Sequence, residues 1–227
     1  ARLPRRACAE GCGGVILIGM FDSPYVRRVA IAMNLLGLPF EHRNWSVGKD
    51  FDRIRQYSPI GRVPALVLDS GEVLAESALI LDYLDSLVGP QRALLPAQGD
   101  ARRQALRLIG LATGAVDKGI LVVMERVFRP EEKRHAPWTD RCLLQARGAL
   151  AELEKHCFER QGRWLVGEEM TLADITTGCN GTYLREAVPL DLSVYPALQA
   201  HVDRCEALPV FARFHVPFDA PVPAPLP

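Results

Sequence analysis

Between Val15 and Leu87 the apolar residues change period repeatedly, with glycine, proline or serine near the changes. Val15–Gly19 is a short apolar run bounded by turn residues, which fits a buried strand. From Pro24 the apolar positions are Val26, Val29, Ala30, Met33 and Leu36. That is the spacing of one helix face, with Arg27, Arg28 and Asn34 off it. Gly37 and Pro39 stop the helix. Phe40–Val47 predicts a second strand, and a helix between two strands is the crossover that parallel pairing needs. Ala65–Leu68 and Glu72–Leu74 flank Asp69-Ser70-Gly71, a glycine-containing turn that predicts an antiparallel hairpin. Ser77 is expected to cap a helix with Ile80, Leu81, Leu84 and Leu87 on one face. The order is β-α-β, a crossing segment, then β-β-α, an α/β unit over residues 15–89.

Past this unit the period settles. Residues 90–99, with Pro90 and Pro96, read as a linker, and residues 100–216 as an all-helical half. Asp100 is expected to cap a long helix reaching Phe128, stopped by Pro130. A second helix runs from about Trp138 to Arg160, a third starts at Thr171, a fourth near Pro196 and a short fifth near Pro209. Thr171 and Asp174 have N-cap and N3 spacing, a capping box with aspartate in place of Glu/Gln. Residues 1–14 show no periodicity and read as a non-native or disordered extension. Residues 217–227 hold five prolines and are expected to be extended or disordered.

Composition narrows the function classes. The 227 residues, 48% of them hydrophobic, suffice for one large or two small domains. Lys plus Arg number 27 against 27 Asp plus Glu, a balance that argues against nucleic acid as the main partner. No apolar run approaches the ~20 residues of a membrane span. The chain therefore reads as cytoplasmic, with no membrane partner. The six cysteines are too few and too scattered for a disulfide framework in a chain of this length. Cys8 and Cys12 lack a nearby partner pair, so no metal site is expected. Cys142, Cys157, Cys179 and Cys205 fall in helical patterns as small hydrophobes.

The residues able to carry chemistry sit at boundaries. Ser23 fits N-cap and Pro24 fits N1, so a hydroxyl stands beside free N–H groups and a partial positive charge, a place that favours an anion. The alternative is a plain cap. No G-x-S-x-G surrounds Ser23, which removes a hydrolase elbow. Pro64 precedes a strand, where an X-Pro bond can be cis and would turn the Val63 backbone toward a ligand. An ordinary strand-start proline is the competing account. Glu76 and Ser77 stand at a second helix N-terminus, a second anion site or again a plain cap. Arg62 adjoins Val63 and either meets a carboxylate or is solvated. In the first long helix Gly110, Gly114 and Gly119 allow close approach or open space. Tyr25, Val26, Val116 and Asp117 are candidates to border that space, with plain helix packing as the alternative.

The order and spacing of "SPYVRRVAIAM", "SPIGRVPALVLDSGEVLAESALILDYL" and "LVGEEMTLADI" resemble the cytosolic glutathione transferases, over about Val15 to Val216. Ser-Pro at 23–24 looks most like the bacterial, tau- and theta-like serine enzymes. It is unlike the cysteine-bearing omega and beta classes, and the serine-rich "SSCS" signature of the zeta isomerases is missing. The resemblance implies a thioredoxin-like first domain that holds glutathione and a helical domain that shapes the acceptor pocket. It implies that Ser23 donates to the glutathione sulfur and that Val63, before a cis-Pro64, pairs with the cysteinyl backbone. Glu76 and Ser77 would hold the γ-glutamyl end, with Arg62 near the glycyl carboxylate. Glutathione would be the co-substrate, no metal would be needed, and the assembly would be a homodimer with the first long helix as a candidate contact. The implied activity is conjugation of glutathione to an electrophilic, apolar acceptor. The alternatives are a non-catalytic binding or regulatory protein, and a glutathione-dependent isomerase, dehalogenase or peroxidase.

Overall fold

The computed structural model describes residues 14–160 and 162–220; the predicted head lies outside these except for Gly14, as do residues 221–227 of the tail. β1 (Ile16–Ile18) leads into α1 (Pro24–Leu36), which returns to β2 (Glu41–Arg43). A short α2 (Phe51–Arg55) fills the crossing segment; it was not expected from the sequence. β3 (Ala65–Val67), β4 (Val73–Ala75) and α3 (Ser77–Val88) complete the unit. The sheet order is β2-β1-β3-β4. β1 pairs with β2 in parallel (Leu17 opposite His42) and with β3 antiparallel (Leu17 opposite Leu66). The helical half comprises α4 (Gly99–Phe128), α5 (Ala136–Glu159), α6 (Leu172–Ala187), α7 (Pro196–Glu206) and α8 (Pro209–Arg213). This is the α/β thioredoxin-like unit followed by an all-α half.

Several local expectations need correction. β2 spans only three residues, because Trp45 N–H donates to Arg43 O and turns the chain out of the sheet. Ser77 is not a cap: it is the first residue of α3, with Glu76 before it as N-cap. Asp100 is not a cap either, since α4 already starts at Gly99 and the Asp100 carboxylate accepts from Arg103. Arg27 and Arg28, placed off the apolar face by periodicity, are 3% and 2% exposed. The cause is a second covering layer. α1 lies with the sheet on one side and α6 on the other, so it has no solvent face at those positions.

Burying two guanidiniums requires partners, and each has them. Arg27 forms a bidentate pair with Glu206 at 2.8 and 2.6 Å and donates to Phe211 O at 2.9 Å. Arg28 donates to Ser77 Oγ at 3.1 and 2.6 Å and to Thr176 Oγ1 at 3.4 Å. These bonds tie α1, α3 and the helical half into one body, and the main hydrophobic cluster runs unbroken through all of them. The capping box at Thr171 is present. Cys142, Cys157, Cys179 and Cys205 are buried free thiols.

Candidate functional site

β1 is followed by Gly19, whose φ of 129° is open to glycine. A Cβ there would stand 2.6 Å from Val26 Cγ2 and 2.8 Å from Val63 Cβ. Lacking one, Gly19 lets the start of α1 and the loop before β3 close on each other. Ser23 follows with extended angles (φ −70°, ψ 121°) and caps α1, its Oγ accepting from Val26 N–H at a long 3.5 Å. Capping uses only a lone pair of the hydroxyl, so its proton remains free to donate to a ligand.

The Val63-Pro64 peptide is cis. Val63 N–H and C=O have no hydrogen-bond partner among the described residues. Glu76 has φ 69° and is the one non-glycine with positive φ among the described residues. Such a conformation costs about 1–3 kcal/mol and persists where its surroundings enforce it, which happens most often at ligand sites. The exposed Glu76 carboxylate meets Arg62 at 3.2 Å, a surface pair worth little by itself.

A cleft of about 210 Å³ opens between the sheet unit and the helical half. Ser23, Tyr25, Arg62 and Val63 line it, together with Trp45, Ser46 and Val47 on the sheet side. Ile120, Val123 and Met124 of α4 and Tyr183 of α6 form the far wall. The predicted site residues thus divide. Pro64, Glu76 and Ser77 stand behind or beside the cleft. Ser77 is 2% exposed and its hydroxyl is occupied by Arg28. Val26 and Val116 do not border the space: both are fully buried, in the packing of α1 and α4. Asp117 is not on the cleft wall either; its carboxylate accepts from the Tyr25 hydroxyl, pinning α1 to α4. Burial, that carboxylate acceptor and its charge push the Tyr25 phenol well above its ordinary range, so it stays protonated.

Sequence reasoning missed Asp22, Tyr183, Phe218 and Asp219, which all line the cleft. Asp22 was readable as the neighbour of Ser23. Phe218 and Asp219 were hidden in the proline-rich tail, whose composition predicts an extended or disordered segment. In the structure Phe218 packs edge-on against Tyr183, with ring centroids 5.5 Å apart. Among the described residues no group of three or more His, Cys, Asp or Glu side chains is placed to hold a metal. No helix among them is long and apolar enough to cross a membrane.

The comparisons with known proteins agree with this fold. The glutathione S-transferase N-terminal domain model matches residues 17–92 and the C-terminal domain model residues 117–209. A glutathione S-transferase of Methylobacterium radiotolerans, solved in complex with glutathione sulfonate, superposes with a TM-score of 0.81. It is 34% identical, over 95% of this chain and 97% of that one. A zeta-class glutathione S-transferase of Euphorbia esula is 31% identical over 70% of this chain and 71% of its own length. A maleylacetoacetate isomerase of Pseudomonas aeruginosa is 29% identical over 83% and 89%. A relative named for the zeta class thus stands among the matches. The chain belongs to the glutathione S-transferase family.

Proposed function

We propose that the cleft binds glutathione and that Ser23 holds its sulfur as the thiolate for attack on an electrophilic, apolar acceptor. One observation carries the reading: Ser23, at the amino end of α1, and Val63, whose backbone has no hydrogen-bond partner among the described residues, line the same cleft. Val63 would pair with the cysteinyl part of the peptide beside Pro64. The amino end of α3, at Glu76 and Ser77, would hold the γ-glutamyl end, and Arg62 would sit near the glycyl carboxylate. Arg28 supports this by fixing Ser77 from behind.

The energetics suffice. A thiol with pKa ~8.5 is about 3% ionised at neutral pH. A fall of about two units needs ~2.7 kcal/mol of preference for the anion. One charge-assisted hydrogen bond supplies about 1.5–3 kcal/mol, and a helix N-terminus adds ~0.3–1. The sulfur then forms a C–S bond at the acceptor carbon, and a leaving group departs with the electron pair or the new carbanion takes a proton. Thiolate nucleophilicity falls with its pKa, so ionisation nets only a few-fold in rate. Most acceleration has to come from positioning the acceptor against the sulfur. The expected assembly is a homodimer, for which α4, with Leu106 and Leu121 exposed, is a candidate contact. The expected compartment is the cytoplasm.

A second reading is glutathione-dependent isomerisation, favoured by the isomerases among the relatives. It would begin with the same sulfur attack, followed by rotation and elimination, so glutathione would be regenerated. Stoichiometry separates the two: conjugation consumes one glutathione per turnover and isomerisation none. The reading as a whole is tested with Ser23→Ala. The variant should still be retained on immobilised glutathione. Ultraviolet titration of the bound thiol should move up by about 1–2 units, with turnover falling a few-fold or more. Unchanged ionisation and turnover would remove Ser23 from this role.

A further inference from the structure

The cleft is mostly apolar in its walls but not neutral. Asp22, half-buried directly before Ser23, and Asp219, from the segment after α8, both line it. The Asp219 segment is held in place rather than loose. Phe218 N–H donates to Glu186 Oε2 at 3.3 Å, and the His215 ring bonds the other oxygen of Glu186 at 2.9 Å. Burial pushes the Asp22 carboxyl above its ordinary range and the Asp219 charge adds to this, while the amides of Asp219 and Ser23 pull it back.

Cations do not balance the pair. Arg62 is the one basic residue in the lining, and it is engaged by Glu76. Arg28 lies behind the Tyr25 ring, 5.6 Å from its centroid, with its donors spent on Ser77 and Thr176. Arg126, on α4, donates to Ala187 O.

We propose that Asp22, reinforced by Asp219 at the rim, selects the acceptor by charge: neutral or cationic apolar electrophiles enter, and carboxylate-bearing ones are disfavoured. The inference rests on the glutathione reading and names the acceptor class for that same cleft. A carboxylate brought into a partly dehydrated space beside Asp22 meets a like charge that water screens poorly, whereas a quaternary ammonium meets an opposite one. At ~8 Å and an intermediate effective dielectric, one such charge changes affinity about fivefold. Asp219 is exposed, so its effect is smaller, about twofold. An isomerase taking a dicarboxylate would require cations where these two acids stand.

The test uses finished conjugates, which fill both halves of the cleft without any turnover. Dissociation constants are measured by calorimetry for glutathione, S-benzylglutathione, and its para-carboxy and para-trimethylammonio derivatives. The expected order of affinity is trimethylammonio at least equal to benzyl, and benzyl about fivefold or more above carboxy. Asp22→Asn should bring the carboxy and benzyl forms together while leaving glutathione itself within about twofold, and Asp219→Asn should do so partially. Added salt should shrink the gap. A carboxy derivative that binds as well as the benzyl one, or a gap untouched in Asp22→Asn, overturns the charge selection with the glutathione reading intact. If glutathione and all three conjugates fail to bind, the glutathione reading falls first and the charge selection with it.

Discussion

The Asp174 carboxylate accepts hydrogen bonds from Leu165 N–H at 2.8 Å, Thr171 N–H at 2.8 Å and Thr171 Oγ1 at 2.9 Å, with no solvent exposure. The Thr171 hydroxyl, in turn, accepts from Ala173 N–H at 3.2 Å. The two halves of this capping box are not equivalent. Thr171→Ala removes one cap and should cost about 1 kcal/mol. Asp174→Ala strands two backbone N–H groups that water cannot reach, at about 1–3 kcal/mol each, and should cost several times more. Urea unfolding of the two variants checks this, and equal midpoint shifts would show that Leu165 and Thr171 find other partners. The spacing of the pair was legible in the sequence because capping is local. Its burial was not, since the groups that cover Asp174, among them His201 at 3.4 Å, come from α7.

Elements were readable wherever the evidence for them was short-range. The helix starts at Pro24, Thr171, Pro196 and Pro209 lie within a residue of their signals. Some failures were local, as at the Ser77 and Asp100 caps, and the rest depended on distant packing. Arg28 reads as a solvent residue until α6 is laid over α1. Phe218 reads as part of a loose tail until Tyr183 offers it a ring. The glycines of α4 show the same limit, because identical residues at similar spacing have opposite roles. A Cβ at Gly114 would meet nothing within 4 Å, but one at Gly119 would stand 2.6 Å from Leu184 Cδ2 and 2.9 Å from Val188 Cγ2. Gly119 is therefore where α4 and α6 approach closely, in the packing role, and it opens no ligand space. Gly114→Ala should stabilise by up to ~1 kcal/mol through helix propensity. Gly119→Ala should destabilise, because overpacking costs about 1–3 kcal/mol against that same gain. Thermal unfolding of the pair reads the sign directly, and two shifts of the same direction would contradict the close approach.

Three helices of the second half meet at a junction that contains a titratable group. His201 of α7 is completely buried. Its Nε2 faces Asp174 Oδ1 of α6 at 3.4 Å and lies 3.6 Å from Cys205 Sγ; its Nδ1 faces Arg160, just past α5, at 3.4 Å. Burial, with the charges of Arg160, Arg204 and His156, lowers its pKa from 6.5 to about 3. Native His201 therefore stays neutral where an unfolded histidine is already protonated. In that window the unfolded chain binds the extra proton, so stability falls as pH drops below about 6.5. Between about pH 7.5 and pH 5 the loss is ~2 kcal/mol from this one group. Asp174 acts in the opposite sense: burial raises its pKa, so its protonation in the folded state offsets part of the loss as the pH falls. His201→Gln, which carries no charge at any pH, should be less stable at neutral pH yet show a flatter stability profile from about pH 6.5 to 5. Equilibrium urea unfolding across that range, in both proteins, gives the two slopes. Parallel slopes would mean that the proton is taken up elsewhere and that the junction of α5, α6 and α7 does not set the acid limit of the fold.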